Sequence, residues 1–236
     1  MQALNLEIAA DSASEPTPPE RKRGRRKDAR PSEIVAAALD VFAEKGFAAT
    51  KTEDIAARAG VSKGTLYLYF PSKEDLLKAV VQQNVVSLIG EGREFVRTYV
   101  GSSADMLRDF TLHWWRAEGA TKQSAVPKLI MSESGNFPDI VAYYFNEKIV
   151  PAQALFAGML QRGVASGEFK PIEHVHDTVH SIVSAVMFLM HCKHSFAAHL
   201  GEHMINPEAF LINHLHTMMH GLSAQPEQPQ KPIKHA

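Results

Sequence analysis

The chain has a single cysteine, Cys192, in 236 residues. No internal disulfide framework can therefore hold it together, and a reducing compartment suits it. It also lacks a long apolar run. In the apolar second half the stretch 178–192 lacks Asp, Glu, Lys and Arg, and it contains His180 and His191. That falls short of the ~20 residues needed to span a bilayer. Glu7 and Asp11 lie near the start, and no basic segment leads into an apolar one. No secretory signal is expected, and the expected location is cytoplasmic. Neither a Ser nucleophile elbow nor a Gly-rich phosphate loop occurs, which removes two common enzyme signatures. With 45% hydrophobic residues the composition is that of an ordinary globular protein.

A net charge of −1 hides an uneven distribution. Residues 1–19 carry only Glu7, Asp11 and Glu15, whereas Arg21, Lys22, Arg23, Arg25, Arg26, Lys27 and Arg30 follow almost side by side. Such a block repels itself and stays extended unless a polyanion neutralises it. Residues 1–27 therefore read as a disordered basic arm, with Arg21, Arg23, Arg25 and Arg26 as candidate DNA contacts.

From Ser32 onward the pattern is helical. Ile34, Val35, Ala38, Val41 and Phe42 recur on one face and Gly46 supplies a stop. Thr52 is a candidate N-cap for a short helix closed by Gly60, and Ser62 for another that ends before Pro71. Residues 72–75 fit a capping box that opens a long helix bearing Leu76, Leu77, Val80, Val81, Val85, Leu88 and Ile89. Beyond residue 100 the pattern predicts helices near 103–118, 125–134, 138–166 (kinked at Pro151), 172–198 and 207–221, with a disordered tail from Ser223. The fold class is all-α: an N-terminal three-helix DNA-binding domain over 28–88, joined by a long helix to a helical effector-binding and dimerisation domain over 89–222.

Gly60-Val61-Ser62 as a tight turn between two short helices makes a helix-turn-helix candidate over 51–70. Ala56 is small where the helices approach, and Gly60 suits the left-handed turn. Lys63, Gly64, Thr65, Tyr67 and Tyr69 then fall on the helix whose N-terminal end enters a major groove. Gly64 lets backbone approach base edges, Thr65 offers a hydroxyl and a methyl, and Lys63 can reach guanine.

Residues 33–77 resemble the tetracycline-repressor-like (TetR) family of bacterial regulators. AALDVFAEKGF at 37–47, Thr50 with Thr52, Ile55-Ala56, and above all GVSKGTLYLYFPSKEDLL at 60–77 carry the resemblance. It implies that Tyr67 contacts DNA, that Thr52 and Tyr69 touch phosphates, and that Lys73 holds a phosphate at the start of the next helix. Lys51 and Ser62 complete the expected DNA-facing set. It further implies a homodimer on a double-stranded, palindromic operator, formed through the last two long helices, and a small-molecule effector bound in the second half, with no cofactor and no membrane partner.

For that effector, Phe110, Trp114, Trp115, Phe137, Tyr143, Tyr144, Phe156, Met159, Met187 and Met190 are candidate pocket linings. Apolar cavities with a few polar groups are the usual small-molecule sites. Ordinary core is the competing assignment for each of them. Histidine is the compositional oddity, with ten of 12 lying between His174 and His220. His176 and His180, His199 and His203, and His216 and His220 share the i, i+4 spacing that can grip zinc or copper. No cysteine pair and no third ligand accompany them, so no metal site is assigned. Two alternatives to a ligand-released repressor stay open: a metal-sensing regulator built on these histidines, and a metal-dependent hydrolase using His176-Asp177-x-x-His180.

Overall fold

The computed structural model describes residues 21–196, 199 and 205–224, with the side chains of all these except 21–29 and 85–88. Its helices are α1 (Arg21–Ala49), α2 (Thr52–Arg58), α3 (Lys63–Tyr69), α4 (Lys73–Thr98), α5 (Ser103–Trp114), α6 (Ala125–Ser132), α7 (Pro138–Tyr144), α8 (Val150–Ala165), α9 (Val175–Ser195) and α10 (Pro207–Leu222). Among the described residues there is no strand, only an isolated bridge between Phe169 and Ser223.

Local chemistry sets several of these boundaries. Ser62 caps α3 by accepting from the Thr65 N–H at 3.1 Å, and Ser72 caps α4 by accepting from Asp75 at 3.0 Å. Gly60, with φ 63°, makes the left-handed turn between α2 and α3, where a side chain would be strained. Thr52 does not cap α2. Lys51 holds the cap position, and Asp54 reaches back to accept from its N–H at 3.4 Å.

Three further expectations change. The basic run is not extended from residue 21: its backbone is helical and continuous with α1, through Pro31. Arg and Lys are good helix formers, and extending an existing helix needs no new nucleus. Residues 1–20 lie outside the described residues. Near Pro151 the irregularity is a π segment, Phe145–Ile149, between α7 and α8. A second π segment, Trp115–Gly119, ends α5. The tail begins tied down, because the Lys170 N–H donates to Leu222 O at 2.8 Å and the Ala224 N–H to Glu168 O at 2.9 Å. Residues 225–236 lie outside the described residues.

Two apolar cores result. The first joins Ile34, Ala38, Val41 and Phe42 of α1 to Ile55, Leu66, Leu76, Leu77, Val80 and Val81. Leu66 is fully buried, and truncating such a leucine costs about 2–5 kcal/mol. This core continues into Val126, Ile130, Ile140 and Tyr144, which the expected 28–88 boundary would place in another domain. The second gathers Met106, Leu107, Phe110, Phe156, Met159, Ile182, Val186, Leu211 and Leu215. Helix α4 serves both, packing its first half in one and Phe95 and Val96 against the other.

Candidate nucleic-acid interface and effector cavity

Helix α3 presents Ser62, Lys63, Gly64 and Tyr67 on an exposed face, with Thr65 half-buried beside them. Lys51 and Thr52 from the start of α2 adjoin it, since the Thr52 and Tyr67 hydroxyls lie 3.0 Å apart. The structure therefore brings together most of the residues expected at DNA. Lys63 is not idle: it pairs with Glu53 and sits 5.7 Å from the centre of the Tyr67 ring. The hydrogen bond to Glu53 holds its ammonium above the ordinary lysine range and Glu53 below its own. Tyr69 and Phe70 are half-buried against the first core. Leu68 went unnoticed in the sequence, yet it is 78% exposed on the same short helix. Its phase, two residues beyond buried Leu66, was the available signal.

Gly64 has no left-handed φ, and an added Cβ would meet nothing nearer than the Ser62 hydroxyl oxygen at 3.9 Å. Nothing within the fold demands glycine there.

Lys73 departs from expectation. Its ammonium donates to the carbonyls of Phe47 (2.8 Å), Thr50 (3.0 Å) and Ala48 (3.3 Å), and it lies 4.4 Å from the Phe47 ring centre. Three donors meet three acceptors, so Lys73 would have to release a carbonyl to take a phosphate. The acceptors are carbonyls where α1 ends, of which Phe47 O also accepts from the Thr50 N–H at 3.2 Å, and a cation satisfies such helix-end carbonyls well. Thr50 of the resemblance is likewise structural: it is buried, and its hydroxyl donates to Gly46 O at 2.6 Å.

In the second half a cavity of about 250 Å³ is lined by Phe110, Trp114, Tyr144, Phe156, Met187 and Met190, all expected. Trp115, Phe137 and Met159 are not part of it. Trp115 lies flat on Gly119, where a Cβ would come within 2.1 Å of its ring. Phe137 packs edge-on against Phe47 at 5.0 Å, in the first core. Met159 is wholly buried in the second. Of the two tyrosines, Tyr143 points away from this cavity and toward a small hollow beside Lys78 and Gln82. A wider hollow of about 450 Å³ lies between Glu168, His216, His220 and Ser223.

The cavity holds charges that no periodicity could reveal. Glu118 and Lys148 both line it, both are buried, and they pair at 2.6 Å. Each comes from one of the two π segments, a distortion that often marks functional sites. Trp114 Nε1 donates to the other Glu118 oxygen at 3.1 Å. Lys148 also donates to the backbone carbonyl and the side-chain oxygen of Asn84 on α4, at 3.0 and 2.7 Å. Burial pushes the Lys148 amine below its ordinary value against the pull of Glu118. Burial, and then the charge of Glu118, keep the Tyr144 hydroxyl protonated.

The histidines do not converge. His176 and His180 face each other with Nδ1 atoms 3.3 Å apart, but His180 Nδ1 lies 2.8 Å from the His176 carbonyl oxygen. His216 and His220 meet edge to face. Among the described residues no group of three or more His, Cys, Asp or Glu could hold a metal ion. His203 lies outside them. Cys192 is buried, as its apolar helix implied.

A sequence profile of the bacterial regulatory proteins, tetR family, matches residues 34–80. The chain is 30% identical over 159 residues to the HTH-type transcriptional repressor KstR2 of Rhodococcus jostii, spanning 65% of this chain and 74% of that protein. It belongs to the TetR family. The HTH-type transcriptional regulator RutR of Escherichia coli is 32% identical over 164 residues, or 66% of this chain and 71% of RutR. The fold matches that of the regulator FadR from Bacillus subtilis in complex with stearoyl-CoA, with a TM-score of 0.64 and 23% identity over 80% of this chain and 98% of the other. The TetR-family chain is thus an all-α, DNA-binding transcriptional regulator of a family that acts on operators as homodimers. No helix among the described residues is long and apolar enough to cross a membrane.

Proposed function

We propose that this regulator is a repressor released from its operator when a small apolar molecule fills the cavity between the two cores. One observation carries the reading: Lys148, in the cavity wall, is hydrogen-bonded to Asn84 of α4. The first half of that helix is embedded in the DNA-binding core. A ligand that shifts Lys148 therefore pulls on the helix that places α3. FadR, a protein of the same fold, is described with stearoyl-CoA, and KstR2 is described as a repressor, which supports both halves of the reading.

On the DNA side, Lys51, Thr52, Ser62, Lys63, Gly64, Thr65 and Tyr67 form the contact face, with Leu68 supplying apolar contact to a thymine methyl. Lys63 must exchange Glu53 for DNA. The arm residues Arg21, Arg23, Arg25 and Arg26 lie along the adjoining backbone. Dimerisation uses α9 and α10, where Phe188 and Ile212 stand about half exposed and the Phe188 ring packs at a tilt against Phe210, centres 5.9 Å apart. Two recognition helices about one helical turn of DNA apart would then read a palindrome.

The test follows fluorescence and operator binding on one sample. Trp115→Phe leaves Trp114, inside the cavity, as the sole reporter. A ligand that changes its emission saturably should lower operator affinity roughly 5–150-fold, the span of ordinary allosteric coupling. Saturation with unchanged operator affinity would show that the cavity is not the switch.

A further inference from the structure

The inner end of the cavity is unusual in how completely its charges are matched. Lys148 has three N–H donors, and they are directed at Glu118, the Asn84 carbonyl and the Asn84 side chain. Glu118 is held by Lys148 on one oxygen and Trp114 on the other. The remaining inner lining is apolar apart from Tyr144. Its side chain is buried, and its hydroxyl makes no hydrogen bond among the described residues. Among the described residues the one fully enclosed side-chain polar atom without a partner is Ser103 Oγ, at the start of α5, so the Tyr144 oxygen is reachable rather than sealed in. The exposed residues of the lining, Phe145 and His180, with half-buried Gln153 bound to His180 at 3.1 Å, mark the other end as the mouth.

Resting on the effector reading above, we propose that the molecule recognised is uncharged at its inner end. It carries there a carbonyl or hydroxyl oxygen that accepts a hydrogen bond from Tyr144, and the closed Glu118–Lys148 pair excludes a carboxylate. An anion at that depth would lie beside the Glu118 charge with no free cation to meet it, and burying an unmatched charge is strongly unfavourable. A neutral oxygen meets a donor that otherwise lacks a partner, which favours it. Phenolic donation is secure at neutral pH, because burial holds the Tyr144 hydroxyl protonated.

Two probes of equal carbon skeleton decide the matter: 2,7-octanedione and octanedioate. Each carries oxygen at both ends, so one end must go inside. Trp114 fluorescence in the Trp115→Phe chain should saturate with the dione, and octanedioate should bind at least about tenfold more weakly. Tyr144→Phe should weaken the dione about 3–10-fold, the worth of one hydrogen bond. Glu118→Gln frees the Lys148 cation and should reverse the preference toward octanedioate. Glu118→Gln with Lys148→Met, which removes both charges, should keep the preference for the dione and guards against a misfolded single variant. Equal binding of the two probes by the wild-type cavity would overturn the proposal while leaving the effector reading standing. So would a Glu118→Gln chain that still rejects octanedioate. No response to either probe up to its solubility limit would overturn both.

Discussion

Replacing Lys73 with methionine separates two roles that a lysine at the start of a helix can play. The side chain is half-buried, and its ammonium bridges three carbonyls where α1 ends while resting on the Phe47 ring. Methionine keeps the apolar stem, so the change isolates the charge. A hydrogen bond from a charged donor contributes about 1.5–3 kcal/mol when buried. These three share one half-solvated cation, and the freed carbonyls can take up water, so a loss of roughly 2 kcal/mol is expected. For a chain of this size that lowers Tm by about 4–8 °C. Operator affinity, measured by anisotropy from 50 to 300 mM salt, should keep its slope against log salt once the fraction folded is allowed for. A residue that grips a phosphate behaves in the opposite way: Tm stays, and the slope falls by about one unit. A Lys73→Met chain with wild-type Tm and a flattened slope would refute the structural role.

Gly64→Ala should leave Tm unchanged or slightly higher, since a helical glycine costs ~0.5–1 kcal/mol relative to alanine, yet lower operator affinity at least tenfold; unchanged gel-shift affinity would remove the close approach to DNA. Lys148→Met alone should destabilise by about 3–5 kcal/mol in urea titration, because it strands buried Glu118, whereas adding Glu118→Gln should recover most of the loss. Burial, and then Lys193, Lys128 and His191, hold the His194 pKa below 6.5. The folded chain therefore binds fewer protons there than the unfolded one, and stability present above pH 6.5 declines as pH falls; His194→Gln should flatten that decline in melts between pH 7.5 and 5.5. Replacing Arg21, Arg23, Arg25 and Arg26 with Gln should weaken operator binding and reduce its salt slope without changing the preferred sequence. Treatment with a chelator should alter neither Tm nor operator affinity, and a loss restored by zinc or copper would give the histidines a role.

The helix-turn-helix was legible because its determinants are local. Ser62 and Ser72 each cap through an N–H three residues on, and Gly60 is needed by its own φ. Ile34, Ala38, Val41 and Phe42 lie at helical spacing within α1, so the first core could be read from periodicity. The cavity depended on contacts that spacing does not encode. Phe110, Trp114, Tyr144, Phe156 and Met187 were found because apolar residues fill both cores and cavities. The same criterion wrongly admitted Phe137, which is tied to Phe47 ninety residues earlier in the chain, and Trp115, which a glycine accommodates. The carbonyl contacts of Lys73 were hidden for a related reason: its partners lie 23–26 residues upstream, and only the fold shows that α1 ends under its amine. Glu118 and Lys148, in segments that read as plain helix, had no signature at all.

The placement of those two charges bears on how binding could reach DNA. A rigid chain of packed side chains transmits displacement only if some element has two arrangements to choose between. Here the candidates are the π segments, whose extra residue per turn puts Glu118 and Lys148 in the cavity wall. Relaxing either to a regular α-helix would rotate its charge away from the other, and Lys148 could not turn without releasing Asn84. Because Asn84 also donates to Gln123 at 2.8 Å, beside the start of α6, the release would loosen α4 from both neighbours together. Tyr144 belongs to the first core and also lines the cavity, so a ligand held by its hydroxyl acts on the DNA-binding half directly. On the proposed reading, the coupling would run through a shared core and a shared helix, and release of the operator would follow when the ligand breaks the hold of Lys148 on Asn84.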